Sequence, residues 1–448
     1  MHNMTVGKPV KLIFLFAMPL MLGNILQQLY TMVDTMIVGQ YLGVDALASL
    51  GAADWINWAL LGIVMGFTQG FAIKISHSYG AQDFDKMEKT MGMIIVCCAV
   101  IGLLLTIGAQ LIIHPLLVLL NTPEKIIQGS ITYLRVMSAG VLIVMFYNCF
   151  SCLLRALGNS RSPLLAMMCA AFINIVLDLL FVCVFHWGIA GAAFATLIAQ
   201  FFAASFCLVV LLKEIPFQLT KNSFKLRFPI IKGLITLGSP LAMQNAIISV
   251  GGIVVQSVVN GFGFLFVAGF TATNKLYGLL EVAAISFGYA ITTYNSQNLG
   301  AKKYQRVKHG VFMANLLSLS TSVVIGLIMI FFGKNILMMF ISGTPDQTIQ
   351  VLDIAYRYLF IMAICLPILY ILHTYRSALQ GMQDTFIPML SGIIELIMRI
   401  AIALILPIYI GQNGIYYAEV FAWLGAAVLL YVCYKQKIYK LLKQDISE

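Results

Sequence analysis

Four carboxylates interrupt stretches that are otherwise almost wholly apolar: Asp34, Asp178, Glu281 and Glu395. An ionisable group in such a setting costs roughly 2.5–3.5 kcal/mol on the membrane-insertion scale, so each needs a partner or a task. Asn174 precedes Asp178 by four positions, which puts an amide and a carboxylate on one face of a helix. A short turn follows near His186-Trp187-Gly188. Asp178 lies nine residues before Trp187 and Thr196 nine after it, so in an antiparallel helix pair the two share a depth. Asp34 stands five residues before Gly39, where its own span would reach the outer side. Together Asp34, Asn174, Asp178 and Thr196 offer carboxylate, amide and hydroxyl oxygens, with no thiol or imidazole. Hard oxygen ligands suit Na⁺, and a carboxylate in a low-dielectric cavity suits H⁺. The plainer alternative is polar contact that glues helices together.

A second set of charges lies further along the chain. Glu395 and Arg399 are four apart, the spacing of an ion pair within one helix, although gating or substrate contact is open to them too. Lys275 and Glu281 are six apart and cannot pair squarely along one face. Either would have to line a cavity or find a partner on another helix. Pro19 and Pro240 fall inside apolar runs, where a missing N–H permits a kink, so Pro19 is a candidate hinge for the segment that carries Asp34. Gly62, Gly66 and Gly70 form a small-residue stripe best explained by close helix packing.

The elements that hold these groups follow from composition. The chain has 448 residues, 61% hydrophobic and only 10% charged, against about 25% charged in ordinary soluble domains. Such a chain cannot cover a soluble core of this size. Its apolar blocks are long enough for helices of about 20 residues and too long for barrel strands of about ten. Twelve spans are expected, near 13–38, 50–73, 91–113, 131–154, 164–186, 189–212, 231–260, 264–296, 310–333, 351–374, 386–408 and 414–434. The first apolar stretch is too long for a removable signal peptide and should serve as its own membrane signal. With the N-terminus in the cytoplasm, 21 of the 27 basic residues fall on inner segments and four on outer ones, Lys125, Arg135, Lys334 and Arg357. That asymmetry predicts both termini inside, and it explains the net charge of +10 without any nucleic-acid partner. The nine cysteines sit mostly within apolar runs and read as packing thiols, and the six histidines are too scattered for a zinc site.

The chain also repeats itself. Pro19 to Asn24 matches Pro240 to Asn245 at an offset of 221, Gly80-Ala81 matches Gly300-Ala301 at 220, and Arg155-Ala-Leu-Gly-Asn159 faces Gln380-Gly-Met-Gln-Asp384 at 225. Two six-span halves of the same orientation result, related by a pseudo-twofold along the membrane normal, the parallel-repeat plan of rocking transporters. The expected fold is therefore an all-α polytopic membrane protein of twelve transmembrane helices in two six-helix lobes. Residues 1–212 form the N-lobe, 213–229 a cytoplasmic linker, and 230–448 the C-lobe with a short basic cytoplasmic tail. Positions matching Asp34, Asn174, Asp178 and Thr196 in the second half are about Val255, Arg399, Ala403 and Phe421. Folding alone would have favoured keeping the acids in both halves; their asymmetry favours a functional role.

The stretches Pro19-Leu-Met-Leu-Gly-Asn-Ile-Leu-Gln-Gln-Leu-Tyr-Thr-Met-Val-Asp34, Arg155-Ala-Leu-Gly-Asn-Ser-Arg-Ser-Pro163 and Asn174-Ile-Val-Leu-Asp178 resemble the multidrug and toxic compound extrusion (MATE) family, over essentially the whole chain, and within it the DinF-like branch. The resemblance implies a MATE/MOP-type fold and a cation site at Asp34, Asn174, Asp178 and Thr196, with Pro19 as the bend that responds to protonation. Other branches place an acid on the seventh span. Here that span offers Gln244, Asn245, Gln256 and Asn260 but no carboxylate, so a C-lobe cation site would need Glu281 to stand in.

The expected function is secondary active export of amphipathic, often cationic organic compounds in exchange for H⁺ or Na⁺, across a bacterial-type inner membrane. No cofactor is expected, no metal beyond a Na⁺ at the four N-lobe residues, and one chain would suffice as a working monomer. A flippase for a lipid-linked precursor is the nearest rival, distinguished by its need for several cationic groups in the central cavity. An integral membrane enzyme is disfavoured because no metal cluster, reactive thiol site or nucleotide loop is legible.

Overall fold

The computed structural model describes residues 3–120, 122–339, 341 and 344–447. Thirteen α-helices run through it: α1 (Pro9–Leu42), α2 (Val44–Gly80), α3 (Phe84–Leu119), α4 (Glu124–Ala139), α5 (Val141–Ala156), α6 (Arg161–Asp178), α7 (Gly188–Glu214), α8 (Phe228–Asn260), α9 (Phe264–Gly300), α10 (Tyr304–Met338), α11 (Pro345–Gly381), α12 (Phe386–Ile410) and α13 (Ala418–Ser447). No strand occurs among the described residues. In hydrocarbon each backbone N–H and C=O must be satisfied within its own segment, and helices do this. Large apolar side chains such as Leu111, Phe172 and Phe331 are exposed on the helix surfaces, as lipid contact requires.

Twelve spans emerge once two junctions are considered. The fourth is not a single rod over 131–154: α4 and α5 meet at Gly140 with a bend of 50°. A Cβ at Gly140 would overlap the Leu197 side chain of α7, so the bend lies close against that helix and a larger residue would displace the leucine. Phe386–Gln444 forms a near-continuous 59-residue helical stretch, broken by a 3₁₀ segment at Gly411–Tyr417. At about 1.5 Å per residue it is far longer than a bilayer of about 30 Å, so it is two spans.

The internal duplication is visible as backbone geometry. Gln82 and Lys302, 220 apart, both take a left-handed φ (56° and 55°) just after α2 and α9. Gly158 and Gln383, 225 apart, do the same after α5 and α11 (87° and 59°). All four close the same pair of turn bonds; for example Asp83 N–H donates to the Ser78 carbonyl and Lys303 N–H to that of Asn298. This is a Schellman-type helix end. Glycine fills one of the four positions, so the turn was inherited as a hydrogen-bond pattern rather than as a residue.

By its contacts the chain groups into two compact units, Met1–Asn3 with Met18–Ala246, and Met4–Ala17 with Ile247–Glu448. Helices α1 and α8 thus each contribute their two portions to different units, and the 213–229 segment belongs wholly to the first. In that unit the glycine stripe of α2 receives the first part of α8: a Cβ at Gly66 would overlap the Ala242 backbone and one at Gly70 would meet Gly238, while the Asn245 amide donates to the Gly62 carbonyl at 2.8 Å. The connecting segment is pinned there too, since the Ser223 hydroxyl bonds Glu88 of α3. In the second unit the fully buried Met4 donates its N–H to Gln297 Oε1 at 3.0 Å and accepts from Asn298 and Arg306 at 3.1 and 3.2 Å.

Candidate functional site

In the first unit, α6 ends at Asp178 and the chain continues as a π-helical turn, Leu179–Val184, before the sharp reversal at His186 (φ 55°). Wide turns of this kind re-aim the side chains beside them and recur at functional positions. The reversal is held by the Trp187 ring, stacked on Phe181 at 4.7 Å, and by Trp187 N–H donating to the Phe181 carbonyl at 2.9 Å. It brings α7 back antiparallel to α6, so Asn174 faces Thr196: the Asn174 amide donates to the Thr196 hydroxyl at 3.4 Å, and that hydroxyl donates to the Ala192 carbonyl at 3.1 Å. Asn174 and Asp178 are almost fully buried, at 1% and 0% exposure.

Asp34 of α1 stands near enough to Asp178 for the two carboxyls to interact. The four residues singled out by spacing are therefore gathered into one place, as two touching pairs joined by the Asn174–Asp178 helix turn. What sets the place apart is its surplus of acceptors. Asp34 Oδ1, Asn174 Oδ1 and both carboxylate oxygens of Asp178 are buried without any hydrogen-bond donor, as is Gln200 Oε1 beside them. A cavity of about 10 Å³ opens among Tyr30, Asn174, Thr196 and Gln200, room for about one water-sized occupant. Buried acceptors are nearly always satisfied, because stranding one costs about 1–3 kcal/mol and more where it is charged. Asn174 and Gln200 line that cavity while Asp34 and Asp178 stand next to it, and together they leave five buried oxygens without a protein donor, an arrangement that a proton or a small hard cation would satisfy.

Several neighbours escaped the reading by spacing. Tyr30 sits one helical turn before Asp34, and Asp54 of α2 is close enough to repel Asp34. Tyr147 and Gln200 also line the cavity. The turn spacing of Tyr30 is a usable signal, whereas Gln200, one turn beyond Thr196, lies in a run of small and aromatic residues. No group of three or more His, Cys, Asp and Glu able to hold a transition metal exists among the described residues.

The second unit treats its charges differently. Glu281 of α9 meets His373 of α11 at 3.1 Å. Arg376 of α11 pairs with Glu395 of α12 and donates to Ser391 Oγ at 3.1 Å. Arg399 pairs with Glu419 of α13 at 2.8 Å. The expected pair within α12, Glu395 with Arg399, is stretched to 4.0 Å, because α11 and α13 each bring a closer partner that no spacing along α12 could reveal. Arg399 also reaches the Ile248 carbonyl at 3.4 Å. Lys275 is exposed and enters none of the described ion pairs, so it stands apart from Glu281, Glu395 and Arg399.

Known proteins bear on this arrangement. The sequence profile of the MatE family matches residues 19–180 and 240–405, two stretches that begin at Pro19 and Pro240. The chain is 31% identical over 349 residues to the probable multidrug resistance protein YpnP of Bacillus subtilis, covering 77% of each chain. It is 25% identical over 418 residues to the probable multidrug resistance protein NorM of Thermotoga maritima, covering 91% of this chain and 87% of that one. An FAD transporter of Shewanella oneidensis is 23% identical over 336 residues, 72% of each chain. Among solved structures, a MOP superfamily transporter from Pyrococcus furiosus superposes with a TM-score of 0.92 at 22% identity over 98% of both chains. MATE structures in bent and in straight conformations each superpose at 0.90.

Proposed function

The chain belongs to the MatE family of membrane transporters, and on that premise we propose that it is a secondary active multidrug efflux antiporter whose coupling cation binds at Asp34, Asn174, Asp178 and Thr196. The observation that carries this reading is the set of buried, donor-less oxygens around Asp178. A proton would bridge the Asp34 and Asp178 carboxyls; a Na⁺ would draw on the same oxygens with the Asn174 carbonyl. Either ion removes the electrostatic penalty of holding two carboxylates together in a dry site.

The protein lies in a bacterial-type inner membrane with both termini cytoplasmic and works as a monomer. Amphipathic, often cationic organic substrate loads from the cytoplasm or inner leaflet, and the lobes rock outward. The cation then enters from outside and neutralises the acids, and the changed electrostatics expel the substrate. Each positive charge entering contributes about 2.3 kcal/mol per 100 mV. Pro19, ten residues into α1 and fifteen before Asp34, lets that helix bend as the site fills. Export of a lipid-linked anionic precursor is less well supported. Its cationic groups would be Lys275 and Arg399, joined by Arg376; a glutamate neutralises each arginine, which leaves only Lys275 of the three outside the described ion pairs.

Ethidium transport in proteoliposomes tests the reading, with ΔpH and ΔNa⁺ imposed separately on wild type and Asp178→Asn. Gradient-driven transport that the variant loses identifies both the ion and the site. Folded wild-type protein that moves ethidium under neither gradient sinks the antiporter and favours the flippase.

A further inference from the structure

A groove of about 810 Å³ opens on the second unit between the start of α10, the end of α11 and the tail of α13. Its mouth holds Lys308, His309 and Lys435, all exposed. No acidic residue lines it, and none of the described ion pairs uses these three. Nearby basic residues at the same helix ends are engaged: Lys437 pairs with Asp384 at 2.8 Å, and Arg306 holds Asn298 and Met4. Among the described residues, the positive charge at the mouth is therefore a local surplus with no acidic counterpart.

The groove changes character along its length. Below the basic mouth come Tyr375 and Tyr431, their rings 5.2 Å apart, with Lys435 over the Tyr431 ring at 5.4 Å. Deeper along α10 come Phe312, Asn315 and Leu319, and the wall is mainly apolar. Lys308 and Leu319 are separated by about 16 Å of helix, at about 1.5 Å per residue. Along α10 the groove runs from charge at the helix start to apolar side chains deeper in, while on α13 Ile438, Tyr439 and Leu442 line it outward of Lys435. Basic groups, rings and apolar wall in one groove suit a membrane lipid. A volume within the ordinary range of about 300–1,000 Å³ for ligand sites is more than a bare anion needs.

We propose that this groove binds one anionic phospholipid of the inner leaflet, its phosphate held by Lys308 and Lys435 and its chains running along Phe312 and Leu319. Basic pockets between transmembrane helices on the cytoplasmic side take such headgroups, and the charge asymmetry of the loops assigns these helix ends to that side.

The test is native mass spectrometry of the detergent-purified protein titrated with phosphatidylglycerol and, separately, phosphatidylcholine. Wild type should retain phosphatidylglycerol in preference, a result that depends on no variant folding. Lys308→Gln with Lys435→Gln should weaken that binding about 30-fold, each lysine near an anionic headgroup being worth about a factor of five. Lys308→Arg with Lys435→Arg should keep it, and Lys440→Gln with Lys443→Gln, on the same tail but off the groove, should change it little. Equal retention of both lipids overturns the proposal. So does an equal loss in the Lys440/Lys443 variant, which would mean diffuse surface charge. Displacement by millimolar inorganic phosphate also overturns it, since the ligand would then be a free anion.

Discussion

The two units handle buried charge in opposite ways. In the second, Arg376, Glu395, Arg399 and Glu419 alternate in sign across α11, α12 and α13, and Glu281 has His373. In the first, Asp34 and Asp178 stand together with no cation and hardly a donor between them. Both sets descend from corresponding halves of a duplicated chain: Arg399 occupies the position of Asn174, and Ala403 that of Asp178. On the proposed function, the difference is one of task. A chain of paired charges is neutralised pair by pair, although Arg376 Nε and Arg399 Nε are left without acceptors of their own, and it suits a fixed contact between helices. A cluster of stranded acceptors is incomplete until something binds, which suits a site that fills and empties.

The sharpest break in this contrast would come from the acids. Asp178→Asn should abolish gradient-driven ethidium transport while the protein reaches the membrane in normal amount, and adding Asp34→Asn should restore nothing. Transport surviving either substitution would make the first unit's acids as structural as the second unit's.

Next in size is the paired chain. Glu395→Gln strands Arg376 in a buried setting and should cost about 3–5 kcal/mol, read as a lowered unfolding temperature in detergent. Replacing the pair together, Arg376→Met with Glu395→Leu, should recover most of that loss, because a matched ion pair exchanged for apolar side chains is often neutral or better. Rescue in pairs is the behaviour the first unit should lack.

A smaller effect is expected at Asn174→Ala. It leaves both acids in place but removes an amide oxygen, and coupling-ion affinity should fall about tenfold, from the loss of one charge-assisted contact. The apparent affinity for the driving ion, measured by varying its concentration outside the vesicles, checks this. Smallest of all is Lys275→Gln. An exposed lysine outside the charge chain should alter stability by less than about 0.5 kcal/mol and leave transport unchanged.

Much of this was legible in the residues. The span count, the duplication and the gathering of Asn174, Asp178 and Thr196 follow from apolar run lengths, from three offsets near 220, and from equal distances either side of Trp187. Those are local quantities, and helix geometry converts them into depth and face. The break at Gly140 was not legible, because the close approach of Leu197 to it comes from another helix. Nor was the true partner of Glu395, since Arg376 lies 19 residues away and on a different helix.

The sequence by itself determined that this chain is a membrane-spanning helical duplication with acids in one half only, because hydrocarbon leaves the backbone few choices and charge few places. Which of those charges would be satisfied was decided by tertiary structure. Pairing depends on what a neighbouring helix presents at the same depth, and that is settled only when α11 and α13 close around α12 and when α1 sets Asp34 against the π-turn of Asp178.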